Sequence, residues 1–362
     1  MSNYEEMRTP AALVELDRLE SNLERMQRYV DAHGLRLRPH IKTHKSRWLA
    51  ESQVALGATG ITVATPVEAE RVGPAAPEVL VAYPALGARA GAVSRLSGER
   101  ATLIALDSVA AVESLQAALA ASGRGDSVGV LVELDVGMRR CGVRDAAEAA
   151  AIARACGDGA VYRGLMFYPG HIRERVETQD EKLEALAATL ADAVQRLGDE
   201  GLAPEIVSGG STPTAFRSHE VPHQTEIRPG TYVFNDRTTA AIGACDWDDC
   251  AYTVLATVVS TAVAGQAVVD AGSKALSSDP LRADGHGGFG QLLDHPEVVV
   301  TRMSEEHGVL DLGGSDWRPA VGDRVRIIPN HVCVSVNLQP RVFGVRGGAV
   351  EREWAVEASG WW

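Results

Sequence analysis

Between residues 35 and 233 one pattern recurs: a short apolar run, a polar loop, then a stretch of helical length with its apolar residues on one side. The runs are Leu35 to Ile41, Gly60 to Ala64, Val79 to Tyr83, Thr102 to Asp107, Val128 to Asp135, Tyr162 to Tyr168, Pro204 to Ser208 and Glu226 to Val233. Helical stretches at 46–56, 66–72, 89–96, 109–121, 146–155 and 179–197 separate most of them. Strands that alternate with helices pair in parallel, because the crossover brings the chain back in the same direction. Seven or eight of them predict a closed (β/α)8 barrel in preference to an open doubly wound sheet.

Ahead of this region Thr9 to Asp17 reads as one more strand, with Asp17 placed to cap a helix whose buried face is Leu19, Leu23, Met26 and Val30. After about residue 245 the helical period fades, and Gly-punctuated strands follow at 254–263, 267–270, 298–303, 325–328 and 341–345. The expected organisation is a barrel over residues 8–245 and a smaller C-terminal β domain over 246–362, with the first strand free to join the latter. Ser277 to Gly290, rich in Gly, His and Asp, is the loosest segment.

A formal charge of −13 on 362 residues argues against a nucleic-acid partner, which would need a basic face. No apolar run approaches the ~20 residues that span a bilayer, and the first residues are acidic, so the chain is expected to be cytoplasmic. Five cysteines without paired spacing predict no disulfide framework.

In a parallel barrel, function collects at the C-terminal ends of the strands. Here those ends carry Lys42, Tyr83, Asp107, Asp135, Tyr168 with His171, and Ser208. Loops begin polar in any barrel, but a lysine, two tyrosines and a histidine in these positions predict a lined pocket. Lys42 sits among Arg38, His40, His44 and Lys45, which reads as a solvated basic loop, a phosphate patch or a lysine prepared for Schiff-base chemistry. Ser208-Gly209-Gly210-Ser211-Thr212 is either a turn with a helix cap or a cradle for a phosphate. Beside a Schiff-base lysine it points to pyridoxal phosphate. Arg140, after the fifth strand, is a donor for the cofactor's phenolic oxygen or a surface cap. Tyr168 and His171 offer a phenol and an imidazole for acid–base work.

In the β domain His331-Val332-Cys333 would place both side chains on one face of a strand, a two-ligand half-site whose remaining positions water and substrate can fill. Sulfur with nitrogen favours zinc over manganese or magnesium. A buried cysteine beside a structural histidine is the plainer alternative. Glu305-Glu306-His307 could support the metal from outside.

Taken together these stretches resemble the D-threonine aldolase and D-serine dehydratase family, pyridoxal-phosphate enzymes of the alanine-racemase-like fold. The resemblance rests on residues 38–45, 137–142, 168–171, 208–212, 226–232, 270–274 and 331–333 and spans nearly the whole chain. It implies that Lys42 carries the cofactor, that Arg140, Ser208, Gly209, Gly210, Ser211 and Tyr232 contact it, and that His331 and Cys333 bind a divalent metal at the substrate's β-hydroxyl. It also implies a homodimer. Two reactions follow. Proton removal from Cα by Lys42 leads to dehydration and deamination, whereas removal of the hydroxyl proton by His171 leads to retro-aldol cleavage to glycine and an aldehyde. In the family the dehydratases resemble His-x-Cys and the aldolases His-x-Asp, so Cys333 favours dehydration. Serine, threonine and 3-hydroxyaspartate remain open as D-amino-acid substrates. A racemase, or a non-catalytic pyridoxal-phosphate carrier, fits less well, because neither calls for a metal pair.

Overall fold

The computed structural model describes residues 3–123, 127–157, 159–281, 283 and 287–360. Part of the loose segment at 277–290 therefore lies outside the described residues. The strands are β1 (Ala11–Glu15), β2 (Arg36–Leu37), β3 (Ile61–Val63), β4 (Glu78–Val81), β5 (Ala101–Leu106), β6 (Val128–Leu134), β7 (Ala160–Phe167), β8 (Ile206–Gly209), β9 (Glu226–Ile227), β10 (Tyr252–Ser260), β11 (Gln266–Val269), β12 (Gly290–Leu292), β13 (Val299–Met303), β14 (Gly308–Asp311), β15 (Arg324–Pro329), β16 (Arg341–Arg346) and β17 (Ala349–Ala355). The helices are α1 (Leu16–Ala32), α2 (Arg47–Leu56), α3 (Pro66–Val72), α4 (Ala88–Ser97), α5 (Val109–Ser122), α6 (Ala146–Ala155), α7 (Asp180–Asp199), α8 (Arg237–Ala241), α9 (Ser273–Leu276) and α10 (Val332–Asn337).

Strands β2 to β9 form one parallel sheet in the order β2-β9-β8-β7-β6-β5-β4-β3. A parallel bridge between His40 and Thr62 closes it, with the Thr62 amide donating to the Pro39 carbonyl at 2.8 Å. The strands are buried on both faces, as a barrel wrapped in helices requires. Leu80, Leu103, Ala105, Leu131, Met166 and Ile206 make a core inside it. Their neighbours Val79, Val81, Ile104, Leu106, Val130, Val132, Leu165 and Phe167 point the other way, into the layer of helices.

The second sheet runs β11-β14-β13-β12-β15-β10-β1-β16-β17, and β10 also pairs with β11, so six of its strands close on themselves. The N-terminal strand β1 belongs here, antiparallel to β10 and parallel to β16. Helix α1 buries Leu16, Leu19, Leu23, Met26 and Val30 in the core shared with this sheet.

Local chemistry explains most element ends. Ser46, Ser108 and Asp145 accept from the third helical amides of α2, α5 and α6, and Gly57 ends α2 with φ +126°. Asp17 is not a cap: α1 begins before it, at Leu16, and Asp17 lies in the first turn, where a carboxylate favours the helix dipole. The strands around Lys42 and after Glu226 are shorter than expected. Pro39 and Pro229 lack the amide that would continue each ladder, and the chain turns into short 3-10 segments at Ile41–Thr43 and Thr231–Val233. No helix among the described residues is long and apolar enough to cross a membrane.

Candidate active site

A cavity of about 330 Å³ opens at the C-terminal ends of the barrel strands and is walled on one side by the turn between β15 and α10. Lys42 lines it from the 3-10 turn after β2, so it stands on a turn rather than at a strand's end. The turn is fixed from beneath. His40 Nδ1 accepts the Lys42 amide at 3.4 Å, and burial, reinforced by Lys42, Arg228 and Arg140, holds His40 well below the usual imidazole range. His44 faces away from the cavity, with Nε2 3.2 Å from Gln53 Oε1 and Nδ1 accepting the Ser46 amide at 3.1 Å. Burial pushes it down to about 4. Lys45 donates to Asn337 Oδ1 at 2.7 Å and pairs with Glu68 at 3.5 Å, tying the turn to α10.

Tyr168 lies close to two cations. Lys42 Nζ is 5.8 Å and Arg140 Cζ 5.0 Å from its ring centre, within cation–π range. Arg140 arrives on a loop shaped by carboxylates: Asp135 accepts from the amides of Gly137 and Arg139, and Asp107 from that of Gly142. The acidic residues at the ends of the fourth and fifth barrel strands thus hold the loop that carries Met138 and Arg140 into the cavity. Tyr83 is 43% exposed, under Arg89, and does not line the cavity. His171 is not a lining residue either. Its ring packs against Gly137, its buried Nδ1 has no partner among the described residues, and burial lowers its pKa.

Gly210, Ser211 and Thr212 face the cavity from one loop and Gly230 and Thr231 from another. A Cβ on Gly209 would overlap the Phe167 ring, and one on Gly230 would come within 2.8 Å of both the His40 carbonyl and the Thr43 hydroxyl. These close approaches need glycine and leave a shallow wall of small residues suited to a phosphate. Ser208 is not part of the wall. It lies in a buried chain in which its hydroxyl donates to Glu226 Oε1 at 2.6 Å and accepts from Arg228 Nη1 at 2.6 Å. Arg38 pairs with both oxygens of Glu226, at 2.9 and 3.1 Å. Arg228 lines the cavity and also donates to the Phe167 carbonyl; burial draws it down to about 10 despite Glu226 and Glu133. Tyr232 braces the wall from behind: its amide donates to Thr212 Oγ1 at 3.2 Å and its phenol accepts from Gln53 at 2.8 Å.

His331 and Cys333 meet at the cavity, though not on a strand. His331 is the N-cap of α10, and Cys333 lies in that helix's first turn. The placement comes from Asp236, the N-cap of α8. One of its oxygens accepts from Thr239, while the other accepts the Val332 amide at 3.1 Å and lies 3.2 Å from His331 Nδ1. This contact leaves Nε2 as the nitrogen available to a metal, in the manner of a carboxylate orienting a ligating histidine. Cys333 Sγ is 3.1 Å from the Thr43 hydroxyl and 3.7 Å from that of Thr231. Burial raises the Cys333 thiol, but His331, Lys42 and Thr43 outweigh it and bring the thiol to about 7. His331 is desolvated too, yet Cys333 and Asp236 hold it well above the usual imidazole range. The donor set is a nitrogen and a readily ionised sulfur, which fits a soft or borderline divalent ion. Among the described residues no group of three or more His, Cys, Asp or Glu side chains is arranged to hold a metal, so a site here would be an open two-ligand one. The turn at 305–307 takes no part: Glu306 pairs with Lys274 at the surface, and none of the three residues lines the cavity.

Thus Lys42, Arg140, Tyr168, Gly210, Ser211, His331 and Cys333 converge on one cavity. Sequence reasoning missed Asp236 and Arg228. For Asp236 a signal existed, an Asp followed three residues later by a threonine, which is a helix start.

Several known proteins are similar to this chain over nearly its full length. The family model "Alanine racemase, N-terminal domain" matches residues 14–238, and "Putative serine dehydratase domain" matches residues 251–345. The D-threo-3-hydroxyaspartate dehydratase of Delftia sp. (strain HT23) is 38% identical over 351 residues, spanning 90% of this chain and 91% of that one. Its solved structure superimposes with a TM-score of 0.91 over the full length of both chains. The same enzyme has been solved with a histidine replaced by alanine and with a cysteine two positions further on replaced by alanine, the latter in a metal-free form. The 3-hydroxy-D-aspartate aldolase of Paracoccus denitrificans (strain Pd 1222) is 33% identical over 98% of this chain and 93% of that one. A D-threonine aldolase structure from Filomicrobium marinum, 30% identical, superimposes with a TM-score of 0.89 over 98% of this chain and 96% of that one.

Proposed function

Because the chain belongs to the D-threonine aldolase and D-serine dehydratase family, with its alanine-racemase-like barrel, we propose that it is a lyase dependent on pyridoxal phosphate and a divalent metal that dehydrates D-β-hydroxy-α-amino acids. The observation that carries this is the meeting of Lys42 with His331 and Cys333 at one cavity, a base and a metal half-site lining the same space. Lys42 would hold the cofactor, Arg140 and Tyr168 would flank its ring, and the wall of Gly210, Ser211, Thr212, Gly230 and Thr231 would take its phosphate. His331 and Cys333 would hold the metal, zinc by the softness of sulfur. When bound, the cofactor supplies an electron sink for Cα and the metal a Lewis acid for the β-hydroxyl.

The remaining work falls to the protein. Lys42 Nζ would take the Cα proton and pass it to the departing β-hydroxyl, which leaves as water; hydrolysis of the resulting 2-amino-2-enoic acid, after tautomerisation, gives a 2-oxo acid and ammonia. Asp236 keeps His331 oriented by accepting at Nδ1. Ser208, Glu226 and Arg38 hold Arg228 against the floor of the cavity.

Two observations support dehydration over retro-aldol cleavage. The thiol of Cys333 stands where the family's aldolases look like His-x-Asp, and His171, the base that cleavage would use, does not line the cavity. The two-residue offset of His331 and Cys333 is the one seen in the histidine and cysteine variants of the Delftia dehydratase. The same reading makes the protein a homodimer. Supplied with zinc and pyridoxal phosphate, the protein should convert D-threonine to 2-oxobutyrate and ammonia. Glycine and acetaldehyde would replace this reading with the aldolase, and make His171 the residue to study.

A further inference from the structure

We infer that Cys245 and Cys250 are a dithiol site that reacts with small-molecule disulfides, and that the bond closed between them weakens metal binding at His331 and Cys333 through Asp236. The link to the metal rests on the lyase reading above; the dithiol does not. Both cysteines are free thiols in the structure. They bracket the 3-10 turn Trp247–Asp249, which carries the chain from α8 to β10. A reciprocal cap between Asp246 and Asp249 folds that turn back on itself. Both side chains consequently pack in one small cluster with Ala240, Trp247, Leu293 and Ile328.

Within the cluster the sulfurs meet: a hydrogen bond with Cys245, and then burial, hold the Cys250 thiol well above its usual range. The backbone around them is pinned. Arg18 donates to the Cys250 carbonyl at 3.0 Å, Asn22 to that of Asp249 at 2.8 Å, and Trp247 Nε1 to that of Leu293 at 3.3 Å. Cys250 is fully buried, whereas Cys245 is partly exposed. One thiol is placed to attack and the other to resolve. The Cys245 sulfur attacks one sulfur of the small disulfide, whose S–S bond breaks, and one thiol leaves with the Cys245 proton. The Cys250 sulfur then attacks that of Cys245, and the second thiol leaves with the Cys250 proton. The two cysteines lose two electrons and the small disulfide gains them.

The pair reaches the cavity through one residue. Cys250 Sγ donates to the carbonyl of Asp236 at 3.7 Å, and a disulfide has no S–H to donate. Cys245 pulls on the other end of the same turn: the amide of its neighbour Ala244 donates to the Thr239 carbonyl at 2.9 Å, and Thr239 caps the Asp236 carboxylate. The Asp236 carbonyl keeps the Ala240 amide at 3.0 Å and the Thr239 hydroxyl at 2.9 Å. Oxidation therefore shifts the carboxylate that orients His331 without detaching it, and the effect on the metal is that of one hydrogen bond.

The test treats the zinc-loaded holoenzyme with oxidised glutathione and maps it by mass after tryptic digestion. Both cysteines fall in the peptide 238–274, between Arg237 and the cut after Lys274. In the wild type that peptide should come out two hydrogens lighter, carry no glutathione and revert with reductant. Cys250→Ser should trap glutathione on Cys245, and Cys245→Ser, a mild change at a partly exposed position, should leave the peptide unmodified. Zinc affinity, read by competition with a chelator, should fall about 2- to 10-fold on oxidation, the range for one neutral hydrogen bond. Cys245→Ser should show no such fall, and the peptide 327–341 should show Cys333 unmodified in both proteins. A wild-type peptide that stays unchanged or keeps glutathione would overturn the dithiol. A disulfide with zinc affinity unaltered, or a fall shared by Cys245→Ser, would overturn the link through Asp236. If the reduced protein bound no zinc, the metal reading and that link would fall together, while the peptide mass would still decide the dithiol.

Discussion

The two walls of the cavity are built differently. The barrel wall presents Lys42, Arg140 and the glycine loops from turns and loops that follow strands whose positions come from a repeating local pattern. The β-domain wall presents His331 and Cys333 because Asp236, 95 residues before His331, accepts a backbone amide and orients an imidazole with one oxygen. One wall is specified by periodicity and the other by a single long-range carboxylate. The barrel wall should therefore fail only when a functional side chain is removed, whereas the β-domain wall should also fail through a residue that never touches the substrate.

Lys42→Ala should give the largest effect. Activity should fall ~10⁴-fold, since base and covalent anchor go together. Borohydride reduction in the presence of pyridoxal phosphate should label the wild type and leave the variant unlabelled. Cys333→Ala should cost about 10²- to 10³-fold, the several kcal/mol of a Lewis acid. It should keep the borohydride label while bound zinc, measured by elemental analysis, is lost. If Cys333→Ala lost the label as well, the walls would not be separable.

Acid should act first beneath the barrel wall. His44 is buried neutral with its pKa at about 4 in the folded protein, against 6.5 in an ordinary imidazole. Its stabilising contribution is complete above about pH 6.5 and is lost as the pH falls towards 4. At about 1.4 kcal/mol per pH unit it accounts for about 3 kcal/mol over that window. Urea melts at stepped pH should show this slope on top of that of His40, which is also held low by burial, and His44→Gln should remove the His44 share of it. Asp236→Asn tests the other wall more gently, because asparagine still caps a helix. Stability should hardly change, while zinc affinity should fall roughly 10- to 100-fold, the usual cost of losing a ligand's orienting partner. Tyr83→Ala sets the lower limit: the residue is exposed at the end of a barrel strand but outside the cavity, so stability should stay within about 0.5 kcal/mol.

The barrel was legible because its signals are local. Helices α3 and α6 start and stop where the sequence pattern puts them, at Pro66–Val72 and Ala146–Ala155. Tyr168 and the glycine loop could be placed from strand ends alone, and Lys42 from the loop that follows one. The turn into α10 was not legible, since Val332 to Asn337 is rich in valine and reads as strand. It is helical because Asp236 caps its entry and Ser335 is bonded to Ala275 and Tyr252. The chain from Arg38 through Glu226 and Ser208 to Arg228 was hidden for a related reason. Its members all stood in stretches that looked functional, but nothing local couples residue 38 to residue 226.

The central claim is that the two walls act on one substrate, Lys42 at Cα and the metal pair at the β-hydroxyl. It is tested most directly in deuterated water, with D-serine and the pyridoxal-phosphate-loaded enzyme, by following Cα–H exchange by proton NMR and 2-oxo acid formation by a coupled assay, before and after chelation. The account predicts that chelation stops 2-oxo acid formation while exchange at Cα continues, and that zinc restores 2-oxo acid formation. Formation of 2-oxo acid at an undiminished rate after the metal is removed would contradict it.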